Sequence, residues 1–335
     1  MERVRRSRPN GPGGANYFAS PKPNIDFIKS GCTRLNLVLG GGWALGRVVN
    51  IVGDKAVGKT LLAIEAASNF LRDYPSGRVW YCEAEAAFDE DYAKALGMPV
   101  TKVKFRRYDT VEDVADDLER CIQWSKDHKK APGLYIVDSL DALTDRKAQT
   151  RKFGEQGWHL EKPKLMSELF RTFVRGLEDT RICLMIISQV RDKIGVTFGD
   201  KHSRSGGKAL DLYASQIMYL SHIGQLTRTL NRQTRVTGVR IKAKNKKNKV
   251  GIALRDCEFV IRFGYGVDNV QANLEWLEEL GRLDQINLNK ITVTALIKTP
   301  VDERGGVWER QSDVIVMKAW REVETAFLPK RKKYE

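Results

Sequence analysis

At 335 residues the chain can build one large core and a smaller appended unit. With 42% hydrophobic and 30% charged residues it has a globular composition; no apolar run is long enough to cross a bilayer, and no apolar stretch follows the basic N-terminus in the manner of a secretory signal. Its 57 Lys and Arg against 42 Asp and Glu leave a net charge of +15, which without membrane features points to a polyanionic partner, nucleic acid first.

Residues 1–25 are rich in Pro, Gly and Arg and lack helical periodicity, so they read as a flexible basic arm. From 26 to 268, short apolar runs alternate with amphipathic ones. Arg47–Val52, Val79–Cys82, Leu134–Val137 and Cys183–Ser188 predict buried strands. Leu165, Leu169, Phe173 and Leu177 recur every four residues and give a helix one apolar face. This alternation predicts an α/β core with a mainly parallel sheet covered on both faces. After Tyr213 the strand-like segments ASQIMYLSHIG, TRVTGVRIKAK and CEFVIRFG predict antiparallel strands extending that sheet. Residues 269–335 are expected to form a small α+β C-terminal domain, with a helix at NVQANLEWLEELG, a β-rich stretch through KITVTALIK and GGVWERQSDVIVM, and a basic tail. Cys32, Cys82, Cys121, Cys183 and Cys257 lie far apart without a CxxC pair, which fits buried thiols in a reducing, cytoplasmic compartment.

The strand RVVNIV runs into Gly53, Asp54, Lys55, Ala56, Val57, Gly58, Lys59 and Thr60, and a helical LLAIEAASNFL follows. This is the P-loop pattern in its strand–loop–helix setting. The glycines let backbone N–H groups curl towards phosphate oxygens, Lys59 supplies a point charge for the β/γ-phosphates, and the Thr60 hydroxyl suits Mg²⁺. Asp138, ending the apolar strand LYIVD, suits the same Mg²⁺ shell. Hydrolysis also needs a group to position or deprotonate water, and Glu83 and Glu85 end a neighbouring strand. Strand alternation puts both on one side and does not choose between them.

Taken together, these segments resemble the bacterial and phage RecA recombinases. YCEAEAAFDEDYAKALG resembles that family's catalytic and adenine-binding region, IVDSLDALT its Walker B strand, and IISQVRDKIGVTFG with SGGKALDLYAS its nucleotide-sensing strand and second DNA-binding loop. The resemblance runs from about residue 26 to 268 in the same motif order. It implies that Glu85 activates water, that Asp89 and Tyr92 contact adenine, and that Gln189 senses the terminal phosphate. It further implies that Lys247 and Lys249 reach across to a neighbour's ATP, in the manner of an arginine finger. The expected assembly is a helical filament with ATP and Mg²⁺ between adjacent protomers.

Loop chemistry points to single-stranded DNA as well. The segment from Arg191 and Lys193 through Gly195, Val196, Thr197, Phe198, Arg204, Gly206 and Gly207 combines glycines, cations and one large ring. In the segment 147–164, Lys152 and Trp158 stand among further cations, aromatics and glycines. The lysines of RIKAKNKKNK suit phosphates. The arm at Tyr17, Phe18 and Ala19 is an expected contact with a neighbour, because the family's long N-terminal helix is not evident here. The tail beginning Lys330 is basic where bacterial tails are acidic, and is expected to attract duplex DNA. The expected function is ATP-dependent assembly on single strands with homologous pairing and strand exchange. The alternatives are a ring helicase or translocase on the same fold, or an ATP-gated DNA coat with little turnover.

Overall fold

The computed structural model describes residues 25–149, 161–192, 202–204, 207–304 and 307–330. In chain order its strands and α-helices are β1 (Phe27–Ile28), α1 (Thr33–Leu39), β2 (Trp43–Ala44), β3 (Val48–Gly53), α2 (Lys59–Asp73), β4 (Arg78–Glu83), α3 (Glu90–Ala95), β5 (Val103–Arg107), α4 (Val111–Asp127), β6 (Gly133–Asp138), α5 (Arg146–Gln149), α6 (Glu161–Thr180), β7 (Ile182–Asp192), β8 (His202–Arg204) and α7 (Gly207–Tyr213). There follow β9 (Gln216–Leu230), β10 (Gln233–Asn248), β11 (Asp256–Arg262), β12 (Gly266–Val267), α8 (Asn269–Glu279), α9 (Lys290–Lys298) and α10 (Val307–Phe327).

The main sheet has the order β12-β11-β10-β9-β3-β7-β6-β4-β5, with β8 paired to β7. From β9 to β5 every pairing is parallel. From β9 to β12 the pairings are antiparallel. The two parts have a sequence cause. Strands separated by helices must return by crossovers and so run parallel, whereas β9 and β10 are joined by a two-residue loop that only an antiparallel pair allows. β3 is buried along its whole length, as a parallel strand covered on both faces should be. Its one amide, Asn50, donates to the Ile186 carbonyl and the Ser188 hydroxyl of β7, both at 2.9 Å.

The sheet divides the core in two. On one face α1 and α2 contribute Leu35, Leu39, Leu62, Ile64 and Phe70. On the other, α4, α6 and α7 contribute Leu118, Ile122, Leu169, Phe170, Leu177 and Leu210. The four-residue repeat in α6 delivers two of these, Leu169 and Leu177, while Leu165 and Phe173 are partly buried against the same cluster. All five cysteines are buried, and burial pushes the Cys32 thiol up to about 11 and the Cys82 thiol up to about 12. No helix among the described residues is long and apolar enough to cross a membrane.

Beyond Val267 the described structure corrects the expected α+β unit: it is helical. KITVTALIK forms α9 and the VWERQSDVIVM run forms α10. Their β-branched composition suggested strands, but the burial follows a helical period, with Ser312, Val316 and Ala319 nearly inaccessible on α10. The side chain of Asn289 caps α9 by accepting from the Thr292 N–H at 2.9 Å. These helices share a small core around Leu274, Leu277, Val293 and Val316, against which Leu37 of α1 packs.

The C-terminal helices are tied to the sheet by a buried ionic knot. Asp268 accepts both Arg304 Nη1 contacts at 2.8 Å and Arg262 Nε at 2.6 Å, while its other role is to cap α8 through the Gln271 N–H. Arg304 also donates to the Thr299 and Ile297 carbonyls. Removing one partner of a buried pair leaves an incompletely compensated charge. Arg304→Ala is expected to lower the unfolding free energy by about 3 kcal/mol in urea titration, and hydrogen exchange should show the loss first in α9 and α10; an unchanged midpoint contradicts this account.

A second buried carboxyl sits on α2. Glu65 Oε1 accepts the Val267 N–H at 2.8 Å, while Oε2 is buried without a partner. Gly31 and Gly266 give it room: a Cβ there would lie 1.9 Å and 2.3 Å from its oxygens. Burial pushes the Glu65 carboxyl up from 4.5 to about 7. The folded chain therefore holds a proton that the unfolded chain has released, and stability falls as pH rises from 4.5 to about 7. Glu65→Gln should be more stable than the parent by up to about 3 kcal/mol above that window and nearly equal to it below. Parallel stability–pH curves for the two proteins would overturn the assignment.

Candidate nucleotide-binding site

The parallel strands all deliver their C-terminal ends to one edge of the sheet, and the P-loop leaves β3 there at Gly53. The loop has no freedom for bulk. Gly58 has φ +85° and a Cβ on it would approach Ile261 Cδ1 to 2.3 Å, while a Cβ on Gly53 would meet Val57 and the Leu220 carbonyl within 3 Å. Ala56 also has a left-handed φ of 57°. Asp54, Lys55 and Ala56 are exposed, and Val57 turns into the core. Lys59, only 8% exposed, donates to the Asp54 carbonyl at 2.5 Å, so its ammonium stays inside the loop it closes. Burial, opposed by Asp138 and Glu85, lowers its pKa.

At the end of β6, two strands from β3, Asp138 Oδ2 accepts from the Thr60 hydroxyl at 2.8 Å and from the Tyr81 hydroxyl at 2.7 Å. Burial raises the Asp138 pKa, while these two hydroxyls hold it down. A hydroxyl and a carboxylate in contact at the head of a P-loop helix form the donor set that Mg²⁺ takes, so the residues fit the ion.

The structure separates the two glutamates that strand alternation leaves together. β4 ends at Glu83, so alternation no longer governs Glu85. Glu83 is 7% exposed and accepts the Ala87 N–H at 2.9 Å, closing its own turn. Glu85 instead reaches across the strand ends. Its Oε1 accepts Gln189 Nε2 at 3.1 Å and the Ser139 hydroxyl. Gln189 is itself held by its N–H, which donates to Asp141 Oδ2 at 2.7 Å. Thus β4, β6 and β7 bring Glu85, Asp138 and Gln189 to one cleft.

Beside the P-loop lies a cavity of about 260 Å³ lined by Ala56, Gly58, Lys59, Thr60, Leu61, Tyr92, Val239, Ile261 and Phe263. Tyr92 forms one wall. Asp89 caps α3 by accepting the Tyr92 N–H at 2.9 Å, which fixes the start of that helix. Tyr92 and Phe263 give the cavity two rings, a lining suited to a flat base. Phe263, Ile261 and Val239 were not singled out from sequence. Phe263 follows a strand whose place over the P-loop depends on the β10–β11 register, and local pattern carries no sign of it.

Lys247 and Lys249 lie elsewhere. Lys247 pairs with Ile217 of β9, and Ile217 pairs with Asn50, three positions below Gly53 on β3. At roughly 3.3 Å per residue this is about 10 Å from the P-loop edge. Lys247 Nζ donates to the Asp211 carbonyl, and both lysines donate to the Leu212 carbonyl, at 3.1 Å and 3.2 Å. They therefore sit on the carbonyl end of α7, where cations are favoured, and not on this chain's own nucleotide cleft.

Of the expected DNA contacts, Lys152, Trp158, Lys193, Gly195, Val196, Thr197, Phe198 and Gly206 lie outside the described residues. The backbones of Arg191 and Arg204 belong to the paired strands β7 and β8, and Gly207 opens α7. Tyr17, Phe18 and Ala19 are also outside the description.

Comparison with known proteins agrees with this geometry. Residues 14–268 match the RecA N-terminal domain family. Among curated relatives, Protein RecA of Prochlorococcus marinus (strain AS9601) is 35% identical over 257 residues, covering 76% of this chain and 67% of the relative. Protein RecA of Prochlorococcus marinus (strain NATL1A) is 33% identical over 260 residues, covering 77% and 65% respectively. The ordered P-loop, the Glu85–Gln189 contact and this match over three quarters of the chain lead to one conclusion: the protein belongs to the RecA family.

Proposed function

We propose that this protein is an ATP-dependent DNA recombinase, which assembles on single strands and promotes homologous pairing and strand exchange. The observation that carries the reading is the contact from Gln189 to Glu85, because β7 runs from that contact directly into the glycine-rich basic segment expected to hold DNA. One strand thereby joins the hydrolytic carboxylate to the DNA element.

Each residue has a physical task. The loop Gly53–Thr60 cradles phosphates with its N–H groups, and Lys59 offsets their charge. Thr60 and Asp138 would hold Mg²⁺, and Tyr92 and Phe263, with Asp89 at the start of α3, would hold the base. Bound MgATP supplies the electrophilic phosphoryl group. Glu85 orients a water molecule and accepts its proton, while Ser139 and Gln189 fix the carboxylate. A change of partner at Gln189 would act on β7, whose sequence continues into the segment expected to hold DNA. ATP binding then favours the state with high DNA affinity, and hydrolysis releases it.

Lys247 and Lys249 serve a neighbouring copy in this reading. Their placement away from the chain's own P-loop supports action in trans, which makes hydrolysis depend on assembly. The arm before residue 25 and the helical unit after residue 268 are the candidate elements for neighbour and duplex contacts.

Glu85→Gln should bind nucleotide yet release phosphate at least about 100-fold more slowly than the parent. Equal turnover would favour an ATP-gated coat without catalysis. Mixing Glu85→Gln with Lys247→Ala should restore part of the activity, since an intact Glu85 then faces an intact Lys247 across the interface; no recovery at any ratio would reject the trans role. Strand exchange between homologous substrates with ATP and Mg²⁺ tests the function itself, and its absence at every protein concentration would refute it.

A further inference from the structure

Tyr81 is wholly buried inside β4, at a place where a phenylalanine would fill the same space. β4 pairs with β6 in parallel, with Tyr81 opposite Ile136 and Glu83 opposite Asp138. Tyr81 therefore starts two residues short of the strand ends that carry the cleft, about 7 Å away at roughly 3.3 Å per residue. Its ring joins the cluster on the α1–α2 side of the sheet. The length of the phenol covers the gap, and its hydroxyl arrives at Asp138 Oδ2, 2.7 Å away.

The core itself has no use for that hydroxyl. Burying one costs free energy unless it finds a partner. Glu83, the nearer carboxylate in sequence, is already spent on the Ala87 N–H, and Tyr81 donates to Asp138. Two further rings fix the phenol. Phe88 stands edge-on at 5.1 Å and Phe105 lies at 5.4 Å, and these two are 4.7 Å from each other. In close packing the Tyr81 ring cannot swing without displacing both, so the aim of its hydroxyl is set. Phe88 also belongs to the short segment between Glu85 and Asp89, so the same ring supports the chain that carries the hydrolytic carboxylate.

Both bonds to Asp138 fall on one oxygen. Thr60, in the first turn of α2, donates to Oδ2 at 2.8 Å, and Tyr81 donates to the same atom from β4. The carboxylate cannot rotate without breaking one of them. We propose that Tyr81 is a positioning residue for the Mg²⁺ site: with Oδ2 held by two hydroxyls from different elements, Oδ1 is left for the shell of the ion. Mg²⁺ demands near-ideal octahedral geometry, so a misturned carboxylate weakens it, and the partners that orient a metal-binding side chain tune its affinity. The inference rests on the nucleotide-site reading, in which Thr60 and Asp138 hold Mg²⁺.

The test is Tyr81→Phe in the full chain, with Tyr135→Phe as a matched control. Tyr135 is also wholly buried and donates to a buried aspartate, Asp117, at 3.0 Å, but it belongs to the cluster on the other face of the sheet. ADP affinity is measured by equilibrium titration with Mg²⁺ and again with EDTA, and ATP hydrolysis is followed across a Mg²⁺ series. In Tyr81→Phe the strengthening of ADP binding by Mg²⁺ should fall about 10-fold, while binding in EDTA matches the parent. The Mg²⁺ concentration for half-maximal hydrolysis should rise by a similar factor, and excess Mg²⁺ should recover most of the lost rate. Tyr135→Phe should keep the parent's response to Mg²⁺ whatever its urea midpoint. An unchanged Mg²⁺ response in Tyr81→Phe, equal losses with Mg²⁺ and with EDTA, or the same loss of response in Tyr135→Phe overturns the assignment. A parent that binds ADP equally with Mg²⁺ and with EDTA sinks the metal role of Thr60 and Asp138 as well.

Discussion

A buried carboxylate at the end of β6 carries hydroxyl donors from two other elements. Asp138 is 8% exposed and takes hydrogen bonds from Thr60 on the P-loop helix and from Tyr81 within β4. A charge in that position is tolerable only while it is partnered, so the requirement to satisfy it sets how the P-loop helix meets the sheet. The parallel strand order then does the rest. Because β3, β6, β4 and β7 all end at one edge, Lys59, Asp138, Glu85 and Gln189 meet there although they lie far apart in sequence.

Much of this was legible from the chain. The P-loop needs glycine at Gly58 because φ is +85° and Ile261 fills the space a side chain would take, and the motif records that need directly. Asp138 ends an apolar run, and the structure sets it against the Thr60 hydroxyl of the P-loop helix. Family resemblance points to Glu85 rather than Glu83; in the structure Glu83 is spent on its own turn, whereas Glu85 meets Gln189. What was not legible depended on register or on the competition between propensity and packing. Phe263 reaches the cavity only because β11 lies beside β10 over the P-loop. KITVTALIK looks like a strand to local propensity, yet a capped helix buries Val293 at the centre of the C-terminal cluster.

The charge distribution has a similar division. A net +15 indicates a polyanion but does not say where it binds. Arg240, Arg255, Arg262 and Arg304 are drawn into ion pairs that fasten the C-terminal helices to the sheet. Arg228, Arg232 and Arg235, at the turn between β9 and β10, form no such pair among the described residues. The same stretch of chain thus holds basic residues spent on internal cohesion near the sheet and others outside those pairs.

The central claim is that Gln189 links the hydrolytic centre to DNA through β7. The direct measurement is the rate of ATP hydrolysis with and without single-stranded DNA, in the parent and in Gln189→Ala, with nucleotide binding checked in both. The account predicts that DNA raises the rate of the parent and leaves that of the variant unchanged, although the variant still binds nucleotide. Equal stimulation in the two proteins would contradict it.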